Sequence, residues 1–356
     1  MSERPISERL SSALGPALRW ETGLALLVVI IGIVGSSVSS QFFTSINIFN
    51  QGLSYGEIAI MTLPMTLIVI SGEIDLSVAS VLGMSSALLG FLWARGWPML
   101  GIFALIAVVG LAAGAINGLL VTRLGLPSLA VTIGTLALYR GVATILLGPR
   151  TVANFPVTYT NLGVNAFPFT GNGLTYSAAI FIVLAIVFGA VLHATPFGRS
   201  VYAMGASVEA AQFAGIRVKR IKTILFMTSG LVCALAGVLL TFRLNTAVQN
   251  NGLGLELDVV AIVLLGGVSI FGGKGSVTGV VLAVLAFAGI QNALFLTDFN
   301  QEAAGIVTGA LLLLSVFGRN AASFASRLRA WLPAGRRGRG PQSPAGTPDP
   351  AAVTPP

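Results

Sequence analysis

The chain of 356 residues contains one cysteine, Cys233, and one histidine, His193. An intramolecular disulfide and a cysteine-rich zinc site are therefore excluded, and neither a histidine-based metal cluster nor a Ser-His-Asp triad can be assembled. Charge is also scarce. Asp, Glu, Lys and Arg make up 9% of the residues, where soluble domains carry about a quarter. Hydrophobic residues make up 55%, and the mean hydropathy is +0.90. So much apolar surface cannot be hidden in soluble cores of this size, and the chain reads as an integral membrane protein.

Crossing a hydrocarbon core of about 30 Å takes about 20 mostly apolar residues at 1.5 Å each. Ten runs qualify as candidate spans, near 22–40, 51–71, 75–94, 98–121, 127–147, 174–194, 221–241, 258–271, 275–296 and 303–318, the eighth and tenth being short. Backbone groups must be satisfied internally in lipid, so the expected fold is an all-α polytopic bundle of about ten transmembrane helices. The sequence divides into a cytoplasmic N-terminal segment (1–21), a transmembrane region (22–320) and a basic Pro/Gly-rich tail (321–356) whose composition predicts disorder. The leader carries Glu3 and Glu8 and does not read as a cleavable signal.

The 20 basic residues outnumber the 12 acidic ones, and their placement explains the excess. With both termini cytoplasmic, sixteen of them fall inside, among them Arg4, Arg123, Arg199, Arg217, Lys219, Arg220, Lys222, Lys274 and the tail arginines. Arg95, Arg150 and Arg243 fall outside and Arg140 within a span. This is the positive-inside pattern, so the basic balance reports topology and no nucleic-acid partner is implied. The long outer loop 148–173 is read as a docking surface for an external partner.

Acidic residues beside spans are functional candidates. Ser71-Gly-Glu73-Ile-Asp75-Leu-Ser77 joins the second and third spans. It reads either as a turn with Asp75 or Ser77 capping the next helix, or as part of a transport path. Glu256-Leu-Asp258-Val precedes the eighth span at an offset of 183, which also pairs Leu82-Gly83 with Leu265-Gly266. Five spans separate the copies, so the sequence suggests an inverted five-helix repeat whose acidic segments, Glu73/Asp75 and Glu256/Asp258, flank one pathway. Arg140 either lines that pathway or pairs with a helix terminus. Asn117 either lines it or bonds between helices, the plainer reading. Gly110-Leu-Ala-Ala-Gly114 reads as close helix packing, Cys233 as a small core residue and His193 as a polar surface residue. Gly272-Gly-Lys274-Gly275 lacks the spacing and the Ser/Thr of a phosphate loop, so no nucleotide site is expected here.

In the loop 195–222, residues 207–214 are expected to form a short helix stopped by Gly215, with Glu209 exposed and Ala210 and Ala211 letting a partner backbone approach. Three elements are carried together and in order: Leu63-Pro64 with Ser71-Gly-Glu-Ile-Asp-Leu-Ser-Val78, Ala210-Ala211 through Gly215-Ile216-x-Val218, and Val263-Leu-Leu-Gly266-Gly267 through Gly272-Gly273-x-Gly275. With them the chain resembles, over about 22–320, the permease subunits of bacterial ABC importers for ribose, rhamnose and autoinducer-2. Glu73 stands where ribose-type members often have glycine, and Ser207 where the loop motif frequently has asparagine.

The resemblance implies a multi-pass protein of the bacterial cytoplasmic (inner) membrane that moves a sugar-like solute by alternating access. It implies a homo- or heteromeric permease pair, cytoplasmic ATPase subunits that carry the ATP and magnesium, and an external or periplasmic sugar-binding protein. No cofactor or metal is expected on this chain. Ser207, Glu209, Ala210, Ala211 and Gly215 would form the coupling loop to the ATPase. An ion- or proton-coupled secondary transporter using Glu73, Asp75 and Arg140 is the rival reading.

Overall fold

A computed structural model describes residues 16–168, 173–297, 305–311 and 313. The helices are α1 (Pro16–Val38), α2 (Ser45–Ile70), α3 (Val78–Trp93), α4 (Met99–Arg123), α5 (Ser128–Leu147), α6 (Val157–Val164), α7 (Tyr176–Ala194), α8 (Pro196–Ala206), α9 (Val208–Phe213), α10 (Val218–Leu244), α11 (Leu255–Leu265) and α12 (Val277–Phe295). Residues 305–311 are helical as well. Two short strands, β1 (Val152–Ala153) and β2 (Thr246–Ala247), pair antiparallel and tie the loop after α5 to the end of α10.

Among the described residues, seven helices are long and apolar enough to cross a membrane: most of α1, and α2, α4, α5, α7, α10 and α12. The sequence reading of ten is met only in part. Helix α3 has 16 residues and α11 has 11, while the tenth candidate and the tail lie largely outside the described residues, as do Asp298 and Glu302. The eighth candidate, 258–271, is corrected. Its helix runs from 255 to 265, and the apolar residues beyond it form a loop, because Gly267, Gly272, Gly273 and Gly275 all adopt positive φ. The expected outer loop 148–173 contains α6, and the expected inner loop contains α8 before α9. Thr195 starts α8 by accepting a hydrogen bond from the Gly198 amide.

Helix α10 is the central rod, packed on α2, α3, α4 and α6. Its seam with α4 is backbone on backbone. A Cβ placed on Gly114 would lie 2.1 Å from the Phe226 carbonyl oxygen, and one on Gly230 would lie 2.1 Å from the Gly110 oxygen. The small-residue reading of Gly110 and Gly114 is thus met in the geometry. Cys233, on the same helix, is fully buried.

Helix α1 clasps the end of α11 and the start of α12. Trp20 Nε1 donates to the Leu265 carbonyl (3.0 Å), one of the acceptors that a helix end leaves free. Glu21 accepts from Ser276 and Thr278 at the start of α12.

Candidate functional site

The turn between α2 and α3 carries the first acidic segment, and Gly72 (φ +82°) makes it. Asp75 is buried there, with its oxygens supplied by Ser77 N (3.0 Å), Ser77 Oγ (2.6 Å) and Ser229 Oγ on α10 (3.0 Å). Ser77 Oγ in turn accepts from Asn117 Nδ2 on α4 (2.8 Å). Tyr139 on α5 donates to the Ala113 carbonyl (2.9 Å) beside it. One carboxylate therefore joins the turn to α4 and α10, in surroundings where each satisfied polar contact is worth more than in water. Of the two capping candidates, Asp75 takes the Ser77 amide at the helix start and Ser77 does not cap. Ser77 occupies the N-cap of α3 but makes no side-chain cap, because its hydroxyl is committed to Asp75. Asn117 bonds between helices, as the plainer reading held.

A second cluster meets the other side of the same helix start. Arg140 on α5 donates to the backbone carbonyls of Asn251 (2.8 Å), Gln249 (3.3 Å) and Ala79 (3.4 Å). Gly83 gives it room, since a Cβ there would lie 2.5 Å from the guanidinium. Arg140 thus pins the loop ahead of α11 to the first turn of α3. Glu256 lies within electrostatic reach of Arg140. Asp258 instead bonds Thr308 and lies within reach of Tyr55. The structure brings Asp75, Ser77 and Asn117 together and sets Arg140 near Glu256, while Glu73 and Asp258 go elsewhere.

Glu73 pairs with Lys222 near the start of α10. A second pair, Glu57 with Arg243 (3.1 Å), lies near its other end. Lys222 and Arg243 are separated by about 32 Å at 1.5 Å per residue, close to the hydrocarbon thickness of about 30 Å. Sequence reasoning did not single out Glu57. Its signal was available, a lone carboxylate inside the apolar run 51–71, with Arg243 as the basic residue to match it.

Loop segments converge below this turn. The Gly273 amide donates to the Ile70 carbonyl (2.8 Å), and Gly205 at the end of α8 packs so closely that a Cβ would lie 1.8 Å from that same oxygen. Tyr202 donates to the Gly275 carbonyl (2.6 Å). Burial, and secondarily the Glu21 carboxylate, push its phenol up to about 12. From this joint hangs α9, one residue shorter at each end than the expected 207–214. Ser207 caps it by accepting from the Ala210 amide (3.2 Å), and Gly215 (φ +82°) ends it. Glu209 and Ala210 are exposed, but Ala211 is buried, because it faces back onto the protein. The exposed apolar group that sequence reasoning passed over is Phe213, which is 93% exposed. Among the described residues no cluster of three or more His, Cys, Asp or Glu side chains could hold a metal.

A family model described as "Branched-chain amino acid transport system / permease component" matches residues 46–316. The autoinducer 2 import system permease protein LsrD of Yersinia enterocolitica is 32% identical over 320 residues, covering 88% of this chain and 95% of its own length. The ribose import permease protein RbsC of Haemophilus influenzae is also 32% identical over 320 residues, with 88% and 97% covered. LsrD of Photorhabdus laumondii is 30% identical over 328 residues, with 90% and 96% covered. No solved structure matches the chain. A bundle of apolar helices broken by glycine turns, matched over most of its length by import permeases, places the chain in this family of multi-pass inner-membrane permease components.

Proposed function

We propose that the chain is the transmembrane subunit of an ATP-driven importer for a monosaccharide or related polyol-like solute of ribose, rhamnose or autoinducer-2 type. It would work by alternating access as one of two permeases, with ATPases on the cytoplasmic side and a sugar-binding protein outside. The observation that carries this reading is α9, a short exposed helix ending in Phe213 and attached to a joint shared by α2, α8 and the loop after α11. Motion imposed on α9 reaches both glycine-broken helices through Ile70, Gly205 and Gly273. A ligand or partner shifts such an equilibrium only by gripping its two states differently, and Phe213 is the group positioned to do so. The rival ion-coupled mechanism gains no support: Asp75 accepts from three donors, Glu73 is held by Lys222 and Arg140 is committed to backbone carbonyls.

Phe213→Ala is expected to leave the fold intact and to lower co-purification of the ATPase about tenfold or more, the loss typical of a buried aromatic anchor at an interface. Undiminished capture together with normal ATP-dependent uptake would overturn the assignment.

Support for the inverted repeat comes from order and breaks. Long, short and long helices follow one another as α2–α3–α4 and again as α10–α11–α12, and a positive-φ glycine, Gly72 or Gly254, precedes each short one. The proposed arrangement has both termini inside, α3 and α11 as short crossing elements, and the segment around 305–313 as the tenth. The pathway candidates Glu73, Asp75, Ser77, Asn117, Arg140, Glu256 and Asp258 would then act mainly by holding and releasing the helix breaks. Topology is testable because Cys233 is buried. A cysteine at Thr160 should react with an impermeant maleimide from outside, and one at Glu209 only after the membrane is opened. The reverse labelling would sink the orientation.

A further inference from the structure

Between the end of α4 and the start of α10 lies a cavity of 810 Å³. Its charged lining is Arg123, Arg217, Lys219 and Arg220, and its apolar lining includes Leu119 and Ile224. Among the described residues none of the four cations is within ion-pairing distance of a carboxylate. The floor is built rather than incidental: Thr122 and Thr223 meet at 3.2 Å through their hydroxyls, and Gly118 lets the helices close there. At its N-terminus α10 has no acidic residue in its first turn and no side-chain cap. Three cations therefore crowd the positive end of a 27-residue helix, an arrangement that an anion would relieve.

We infer that this cavity is a binding site for an anionic phospholipid, with its phosphate among Arg123, Arg217, Lys219 and Arg220 and an acyl chain along Leu119 and Ile224. Two features favour an amphiphile over a soluble anion. The apolar wall continues onto exposed residues of the α4 and α10 faces, as Leu119 and Ile224 are themselves exposed. The cations also sit at the ends of two apolar helices, the level at which basic pockets between helices take lipid headgroups. Gln212 of α9 borders the same cavity, so an occupant would touch the exposed helix.

The test is native mass spectrometry of the full chain in detergent, titrated with phosphatidylglycerol or phosphatidylcholine of the same acyl chains. The wild type should retain phosphatidylglycerol in preference. Arg217→Gln with Arg220→Gln should weaken that retention about 30-fold, about fivefold for each cation removed. Lys274→Gln, which removes a cytoplasmic-side charge elsewhere, should leave it unchanged, and excess inorganic phosphate should not displace the lipid. Should the double variant aggregate, Arg123→Gln on the other helix is expected to show the single-cation loss. Equal retention of the two lipids, an equal loss in Lys274→Gln, or displacement by inorganic phosphate would each overturn the site. A change of oligomeric state with unchanged lipid retention would make this face a protein contact instead.

Discussion

Arg243→Ala should destabilise the bundle by about 3 kcal/mol, the lower end of the range for stripping the partner from a buried charge. Glu57 sits mid-way along α2 and is 1% exposed, and Arg243 Nε at 3.1 Å is its partner. Truncation leaves the carboxylate among apolar residues with its solvation gone and nothing in exchange. The lower end applies because the Arg243 side chain is 21% exposed, so some water reaches the pair. The informative comparison is a cycle. Glu57→Gln with Arg243→Ala removes the charge as well as its partner and should recover a substantial part of the loss. Thermal unfolding of the purified protein in detergent reads both. If Arg243→Ala melted with the wild type, the pair would be a surface ornament and the burial argument would fail.

The second large effect belongs to the seam of α4 and α10. Gly114→Val should cost about 3 kcal/mol or more, at or beyond the upper end for overpacking, because the obstacle is the Phe226 carbonyl oxygen at 2.1 Å. A side chain in the way can change rotamer, whereas a helix backbone moves only if the helix moves, and displacing α4 also pulls Asn117 off Ser77. The control is Gly134→Ala on α5, where nothing lies within 4 Å of the added carbon. Relative to glycine, alanine in a helix interior gains about 1 kcal/mol, so this variant should be neutral or slightly stabilised. Gly114→Val should lower yield and melting temperature, while Gly134→Ala should leave them unchanged or slightly raised. Equal tolerance of both would mean that the helices are not in backbone contact.

Much of this was legible because charge is so rare in the chain. Arg140 and Asn117 stood out as polar residues in apolar runs, and both proved to join helices. The exposed short helix was readable from Gly215, whose left-handed turn is a local event. What escaped was tertiary. The inward facing of Ala211 and the outward facing of Phe213 depend on how α9 lies against the body, which a six-residue helix does not reveal. The pairing of Glu57 with Arg243 links positions 186 residues apart. The end of α11 was misread because apolar composition continues past Leu265, while the backbone follows the glycines and turns.

The clasp made by Trp20 and Glu21 has a consequence in time. Their partners, Leu265 and Ser276, lie 245 and 255 residues further along. At a synthesis rate of about 5–20 residues per second, α1 waits roughly 12–50 seconds for them. Throughout that interval these two polar contacts are unmade. The outward Leu26, Val29 and Ile33 of α1 suit that wait, and its two polar anchors sit near one end of the helix, where water and headgroups can satisfy them. The first described helix thus finishes docking late, and the closing of its clasp marks the arrival of the glycine-broken helix it was waiting to hold.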